Sequence, residues 1–410
     1  TRAKLQGGKP MPYPLQIPER DELLAKAESI RGILEADSEQ NEAGRTLAMS
    51  SVNALYDSGL LSMCVPRELG GLEADPVTQT EVFEAVSAMD GAAGWCLVIG
   101  ATSAGMLGGM ISEGALQEVF RNGRIPRASG TAFPSGLAER MDGGFMVNGR
   151  WAFGSGIHHA DWVTTAVIVA KDGQPVRGAS GAPQLCSVCV PVKDVIIEDN
   201  WFSSGLKGTG SSHYRMENVF VPDDYVLGRD RKTRGGVLFR LPTYGYVSAC
   251  HAGFALGVAK RAMTEITAMA AGKKRKLSGV KLGDRGAFHK ELGVMASKLT
   301  GARLFALDIL SRMWTAANQG DRLSLVEWGE CRAAMTYVTE VAAFAYRYGS
   351  GASLYLSHPL QRCLRDIYTA SQHGVVSDEN YESLGLAMIG KGKWEPLIGG
   401  PPERIGAERA

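Results

Sequence analysis

Cysteine is scarce in this 410-residue chain, with only Cys64, Cys96, Cys186, Cys189, Cys250, Cys331 and Cys363. An odd, scattered set excludes a disulfide framework and suits a reducing compartment, where thiols act as small buried hydrophobes. Cys186 and Cys189 form a CxxC, but a zinc ribbon needs a second pair and none exists. Both lie in the apolar run Leu185 to Val192 and read as strand residues. Net charge is nearly absent too: 44 Lys and Arg against 43 Asp and Glu leave +1. That removes any global field favouring nucleic acid or an anionic membrane. No uninterrupted run of about 18 apolar residues occurs, so no spanning helix is expected. Thr1 to Pro18 lacks the charged-then-apolar order of a signal peptide. A cytoplasmic protein is expected.

The common catalytic signatures are also missing. There is no GxGxxG opening a helix after a strand, no GxxxxGK[ST], no HExxH and no GxSxG. The seven His are isolated except for His158-His159, and no carboxylate lies at helical i, i+4 spacing from either of that pair, so no metal site is expected. Chemistry, if present, is expected to reside in an organic cofactor. What is present is ordinary globular composition, 45% hydrophobic and 21% charged, which excludes wholesale disorder.

Three regions follow one another. From about Glu19 to Gly123 apolar residues recur at helical spacing: Leu23, Leu24, Ala27, Ile30, Ile33 and Leu34, then Ala48, Val52 and Leu55. Asp75-Pro76 reads as a helix entrance, and Leu97 to Ile111 as a buried helix. From Pro126 to about Gly228 short β-type runs alternate with turns. Asp142-Gly143-Gly144 reads as a hairpin turn, Trp162 to Ala170 as a strand ended by Lys171-Asp172-Gly173, and Arg215 to Val221 as another strand. From about Thr243 the helical period returns. Leu292, Met295, Leu299, Ala302, Ala306, Leu310 and Met313 trace one face of a long helix; Trp328 to Tyr348 and His358 to His373 predict two more. Long amphipathic helices with short breaks predict a bundle.

Four motifs, in order, carry a resemblance. They are Pro66-Arg67-Glu68-Leu69-Gly70-Gly71 with Gly91 to Trp95; Gly149-Arg150-Trp151-Ala152-Phe153-Gly154-Ser155-Gly156 running on to His159-Ala160-Asp161-Trp162; Gly205-Leu206-Lys207-Gly208-Thr209-Gly210-Ser211 leading to Val219-Phe220-Val221-Pro222; and Arg365-Asp366 through Ser371-Gln372-His373. Over nearly all of residues 20–395 the chain resembles the acyl-CoA dehydrogenase fold, and within it the two-component flavin-dependent aromatic hydroxylases. The resemblance implies an α+β fold: an N-terminal helical domain (1–125), a central β-barrel or sandwich domain (126–235) and a C-terminal four-helix bundle (236–410).

It also implies a division of labour. A separate NAD(P)H-dependent reductase would supply reduced flavin, FMNH2 ahead of FADH2. O2 would add to give a C4a-hydroperoxyflavin, and oxygen would pass to a phenolic or other aromatic ring. Ser129, Gly130, Thr131, Phe153, Ser155 and Gly156 would bind the flavin, since small residues and hydroxyls suit main chain lying close to a flat ring. Arg275, in the basic stretch from Lys273, stands where related subunits reach a neighbour's cofactor phosphate; a solvated basic loop is the other reading. Ser155 would donate to the flavin N5 region, and His373 would orient or deprotonate the substrate, unless it caps helix-end carbonyls. Trp95, His159, Tyr244, Tyr246, His251 and Phe254 are candidate pocket residues. A homotetramer would form through the bundles.

Two alternatives stay open, an FAD-dependent acyl-CoA dehydrogenase and a non-catalytic member of the fold. A dehydrogenase needs a carboxylate base, whereas no acid follows Asp366 until Asp378 and His373 stands near the expected position. Imidazole suits a phenol better than the α-proton of a thioester.

Overall fold

The computed structural model describes residues 19–178, 181–228, 234–272, 279–336 and 338–392. Among these residues six α-helices precede the first strand: α1 (Glu19–Ser29), α2 (Arg31–Gly44), α3 (Met49–Asp57), α4 (Pro76–Met89), α5 (Gly91–Met110) and α6 (Glu113–Val119). Asp75 opens α4 as its sequence indicates. Its carboxylate accepts from the Val77 and Thr78 N–H groups at 2.9 and 3.1 Å, and Pro76 takes the first helical position, where no N–H is needed. Asp90 caps α5 in the same way, accepting from Ala93 N–H at 2.7 Å. α5 is long and apolar enough by length and composition to cross a bilayer, but 78% of that window is buried inside the molecule. Gly, Ser and Thr interrupt its apolar run, which is why the sequence criterion passes over it. It is a core helix here.

The middle of the chain forms one eight-stranded sheet. Its strands are β1 (Ala128–Met141), β2 (Gly144–Gly154), β3 (Trp162–Lys171), β4 (Gln174–Pro175), β5 (Leu185–Pro191), β6 (Ile196–Ile197), β7 (Ser212–Pro222) and β8 (Val226–Leu227). The order is β6-β7-β2-β1-β3-β5-β8, with β4 pairing to β3. β1 and β3 are parallel and the remaining pairs antiparallel. The sheet curls, so that β5 approaches β7 across the strands between them and encloses Val147, Trp151, Val163, Val167, Val188, Tyr214 and Met216. Cys186 and Cys189 fall on different faces of β5, one against this core and the other against Trp162 and Leu227. Among the described residues no group of His, Cys, Asp and Glu is placed to hold a metal.

Among the described residues six α-helices follow the sheet: α7 (Thr243–Gly272), α8 (Gly286–Gln319), α9 (Leu325–Ala333), α10 (Thr339–Gly349), α11 (Pro359–Ala370) and α12 (Glu379–Met388). α7 packs against α8, α10 and α11, and α4 lies along it from the N-terminal region. The single helix expected over 328–348 is two. The chain turns after Ala333, where the Thr336 hydroxyl donates to the Ala333 carbonyl. This lets α9 pack on α12 while α10 packs on α7 and α11. The expected face of α8 is only partly covered: Ala306, Leu310 and Met313 are buried, whereas Leu292, Met295 and Leu299 are half-buried.

Charge and close packing fix α4. Glu81 pairs with Arg20 of α1 at 2.5 Å and Arg303 of α8 at 2.8 Å. The buried Glu84 pairs with Arg303 at 2.8 Å and with Lys260 of α7 at 3.2 Å. Gly253 allows α7 to press on α4, because a Cβ there would stand 2.5 Å from the Thr80 carbonyl oxygen and 2.7 Å from Phe83 Cβ. Gly253→Val is therefore expected to lower the unfolding free energy by about 3 kcal/mol. Denaturant titration followed by far-UV circular dichroism measures it. An unchanged midpoint would show that α4 and α7 can separate without cost.

Candidate active site

Strand direction alone gathers the first half of the site. β1 and β3 begin together, β2 runs antiparallel to β1 and ends beside that start, and β7 begins there in turn, with Gly154 opposite Ser212. One end of the sheet thus carries Ser129 to Thr131, Phe153 to Gly156 and Ser211 to His213. The Ser129 hydroxyl donates to the Ser155 carbonyl at 2.8 Å, and Gly156 N–H donates to the Thr209 carbonyl at 2.8 Å. Gly130 has φ +155°, and a Cβ there would collide with the Thr164 carbonyl. Only glycine lets β1 lie this close to β3. Thr131 Oγ1 accepts from Phe133 N–H at 3.3 Å.

Helices supply the second half. Trp95 of α5 donates its indole N–H to Ser155 Oγ at 3.0 Å. The Trp95 ring meets Phe254 and His251 of α7, and His373 just beyond α11, edge to face at 5.0, 5.7 and 5.7 Å between centroids. His251 and His373 lie 4.9 Å apart. Trp95, Ser155, His251 and Phe254 are buried. Five of the sequence-selected residues, Trp95, Ser155, His251, Phe254 and His373, are therefore one constellation.

Burial sets the protonation of the two imidazoles. His373, half-buried as a residue with its ring against Trp95 and His251, is pushed down to about 4. His251 is held well below the usual histidine value by its burial and then by His373. Both are neutral at pH 7. His373 caps a turn through its Nδ1, which accepts from Val375 N–H at 3.3 Å. An accepting Nδ1 places the ring proton on Nε2. The helix expected to run to His373 ends at Ala370, so the imidazole caps an N–H and does not satisfy helix-end carbonyls.

A chain of hydroxyls continues from Ser155. Its Oγ lies 2.7 Å from Ser211 Oγ, which lies 2.6 Å from Thr209 Oγ1. Thr209 Oγ1 donates to the Leu206 carbonyl at 2.7 Å, and Trp201 donates its indole N–H to the same carbonyl at 3.1 Å. Leu206 itself sits at φ +52° and donates its N–H to Asp366 Oδ1 on α11 at 2.6 Å. Burial pushes the Asp366 carboxyl up to about 7, against the pull of the Leu206 N–H. The third motif, Gly205 to Ser211, carries these groups, but its pattern does not reveal that Thr209 and Ser211 extend from Ser155.

The other candidates separate. Tyr244 lies away from the ring cluster, under the Arg332 guanidinium at 4.7 Å and beside the core of α8 and α9. Tyr246 is buried and donates its hydroxyl to the Thr102 carbonyl at 3.1 Å. His159 stands against Gly156, with its Nε2 buried and without a hydrogen-bond partner, and burial pushes it down to about 4. His158 bonds Ser212 Oγ at 2.9 Å. Arg275 lies outside the described residues.

The sheet end suits a flat heterocycle. Phe153 holds φ +65° and is 62% exposed, an unusual cost for a bulky side chain. Trp201 and His213 meet its ring edge-on at 6.4 and 5.8 Å. An exposed aromatic ledge beside Ser155 and the Gly130 backbone offers apolar area with nearby polar groups, as a flavin ring requires. A separate cavity of about 600 Å3 borders Trp201, with Glu42, Arg45, Phe202 and Lys207 in its wall. It includes none of Trp95, His251 and His373.

Comparison with known proteins gives the same answer. Residues 22–118 match the acyl-CoA dehydrogenase N-terminal domain and residues 249–378 the acyl-CoA dehydrogenase C-terminal domain. The chain is 29% identical over 360 residues to an indole-3-acetate monooxygenase of Pseudomonas putida, covering 87% of this chain and 90% of that one. It is 27% identical over 405 residues to the oxygenase component of an FADH2-dependent resorcinol hydroxylase of a Rhizobium species, covering 93% and 96%. The solved structure of XiaF from a Streptomyces species, in complex with FADH2 and glycerol, superposes with TM-score 0.81 at 24% identity, covering 94% of this chain and 98% of that one. With the domain matches, the fold and the similarity to these hydroxylating relatives all in agreement, the chain belongs to the flavin-dependent monooxygenases built on the acyl-CoA dehydrogenase fold.

Proposed function

We propose that this chain is the oxygenase component of a two-component system that hydroxylates a phenolic or other aromatic substrate with reduced flavin and O2. The observation that carries the reading is the constellation at the sheet end: Ser155 held by Trp95, with Phe254, His251 and His373 around that indole. Flavin, when bound, supplies the oxygen-activating chemistry. Ser129, Gly130, Thr131, Phe153, Ser155 and Gly156 would hold it. Edge-to-face rings around Trp95 give an aromatic substrate flat, polarizable walls and exclude water. His373 is neutral at pH 7 with its proton on Nε2, so its role is to orient a substrate oxygen by donating a hydrogen bond. Proton abstraction from a phenol would need a more basic imidazole.

The dehydrogenase alternative lacks its base here. The first acid of α7 is Glu265, which pairs with Arg261 at 2.7 Å. The acid of α11, Asp366, is taken up by Leu206. Among the described residues no carboxylate joins the ring cluster.

Finer features of the proposal follow the resemblance. A separate NAD(P)H-dependent reductase supplies the flavin. FMN is the first expectation from the resemblance, whereas two of the similar proteins name FADH2. The division into domains 1–125, 126–235 and 236–410 assigns the flavin ledge to the second and the histidines to the third. Exposed Val294, Leu304 and Phe305 on α8 favour self-association through the bundle, with a homotetramer as the expected assembly. The buried thiols suit a cytoplasmic setting.

Two measurements test this reading. Rapid mixing of the protein and reduced FMN or FAD with oxygenated buffer, without substrate, is expected to give a flavin spectrum distinct from the reduced and oxidised forms. It should persist for seconds and decay about tenfold faster in Ser155→Ala, the rate counterpart of one lost hydrogen bond. Reoxidation at the free-flavin rate would sink the oxygenase reading and turn attention to bleaching of bound FAD by acyl-CoA.

The second measurement concerns His373. Its folded-state value of about 4 lies below the ordinary 6.5, so the unfolded chain binds the extra proton between these values. Stability owed to neutral His373 is complete above 6.5 and is lost as pH falls through 4. Relative to His373→Gln, the wild type should lose roughly 2 kcal/mol between pH 7 and pH 4 in urea titrations. A pH-independent difference would show that the ring is solvated in the native state.

A further inference from the structure

The hydroxyl chain beyond Ser155 has only one proton arrangement that makes all of its bonds. A carbonyl cannot donate, so the Thr209 hydroxyl proton lies toward the Leu206 oxygen, 2.7 Å away. Thr209 Oγ1 can then only accept at its 2.6 Å contact with Ser211, which puts the Ser211 proton on that bond. Ser211 in turn can only accept from Ser155 across 2.7 Å, and the Ser155 proton lies toward Ser211. Trp95 N–H fills one lone pair of Ser155 Oγ at 3.0 Å. Each hydroxyl has one hydrogen and two lone pairs, so Ser155 keeps one lone pair and no proton to offer. Ser155, Ser211 and Thr209 are buried, and the far end of the chain is pinned by the Leu206 N–H bond to Asp366 at 2.6 Å. Water has little access to reverse the order.

We propose that Ser211 and Thr209 are positioning residues that fix the Ser155 hydroxyl as a hydrogen-bond acceptor, so that the site selects reduced over oxidised flavin. The proposal rests on the flavin reading above. Reduced flavin carries a hydrogen on N5 and oxidised flavin a lone pair, so an acceptor-only hydroxyl complements the first and opposes the second. Selectivity of this kind is what a protein needs if it takes flavin that another protein has reduced and releases it once oxidised. The sequence expectation that Ser155 donates toward N5 is thereby inverted, because its proton is already engaged by Ser211.

The test is equilibrium binding of FMN and FAD, oxidised in air and reduced under anaerobic conditions, to the full chain and to Ser211→Ala and Thr209→Val. The first variant removes the acceptor for the Ser155 proton. The second is isosteric and frees the Ser211 proton to turn toward Ser155, again releasing that of Ser155. Wild type is expected to bind reduced flavin more tightly. Both variants should lower the ratio of oxidised to reduced dissociation constants by about five- to tenfold, the counterpart of one hydrogen bond gained by the oxidised form. Ser211→Thr, which keeps the hydroxyl, should retain the wild-type ratio. A merely structural role would weaken both forms equally and leave the ratio unchanged, and that result in either folded variant overturns the proposal while the flavin reading stands. Wild-type protein that binds neither form overturns both.

Discussion

The site depends on one backbone contact, the Leu206 N–H donated to Asp366. Leu206 holds a left-handed φ of +52°, a conformation that L-residues other than Asn, Asp and Gly rarely adopt. The 2.6 Å bond to Asp366 Oδ1 on α11 offsets that strain, since a buried N–H left without an acceptor costs more than a satisfied one. Turned this way, Leu206 presents its carbonyl to Thr209 and Trp201. Thr209 orders Ser211, Ser211 orders Ser155, and Ser155 receives Trp95 from α5. The return loop between β6 and β7 is thereby the junction of all three regions of the chain. Ion pairing reinforces it: Glu42 of α2 pairs with Arg365 of α11 and reaches Lys207 of the loop at 3.8 Å.

Low dielectric around this junction dictates which groups carry charge. His159, His251 and His373 are all held below the ordinary imidazole value by burial, and the cysteines above the ordinary thiol value by the same cause. Cys250 and Cys363 are pushed up to about 12. None of these thiols is a thiolate at neutral pH, and they pack as small apolar groups. Asp366 moves upward. The interior thus offers directed neutral dipoles, namely an indole N–H, an imidazole N–H and three hydroxyls. Dipoles fixed before a reactant arrives cost no reorganisation during reaction, and they suit a cofactor that brings the reactive electrons with it.

Much of this was legible in the chain, and the boundary has physical causes. Asp75-Pro76, the Asp142-Gly143 turn and the stop after Lys171 are local signals, and each falls where the elements begin or end. Trp95, Ser155 and His373 belong to the motifs, His251 and Phe254 were candidates for their flat rings, and all five converge within a few ångströms. Tyr244 was a candidate for its aromatic ring alone, yet seven residues along α7 from His251 place it almost two turns away, on the α8 and α9 side. The break between α9 and α10 was not legible, because the apolar period runs on through it and only the packing of α9 on α12 requires the turn. Ser211 and Thr209 were visible as part of a motif, but the role proposed for them lies in the direction of their protons. That direction depends on the Leu206 carbonyl, and so on an aspartate 160 residues away.

That distance bears on how such a site can vary. A serine beside a flavin can recur in many sequences, but its hydrogen-bonding sense is set by neighbours two and three bonds removed, from a different part of the chain. The hydroxyls of Ser211 and Thr209 touch neither the Trp95 cluster nor the exposed Phe153 ring through any bond of their own. They can change without altering the pocket walls that contact an aromatic substrate. On the proposed reading, substrate choice and flavin redox preference are separable properties: the first would lie with Trp95, Phe254 and the two histidines, the second with the loop that Asp366 anchors. A chain with a substituted ring cluster but an intact Leu206 to Ser211 segment would accept a different ring while discriminating between the two flavin states in the same way.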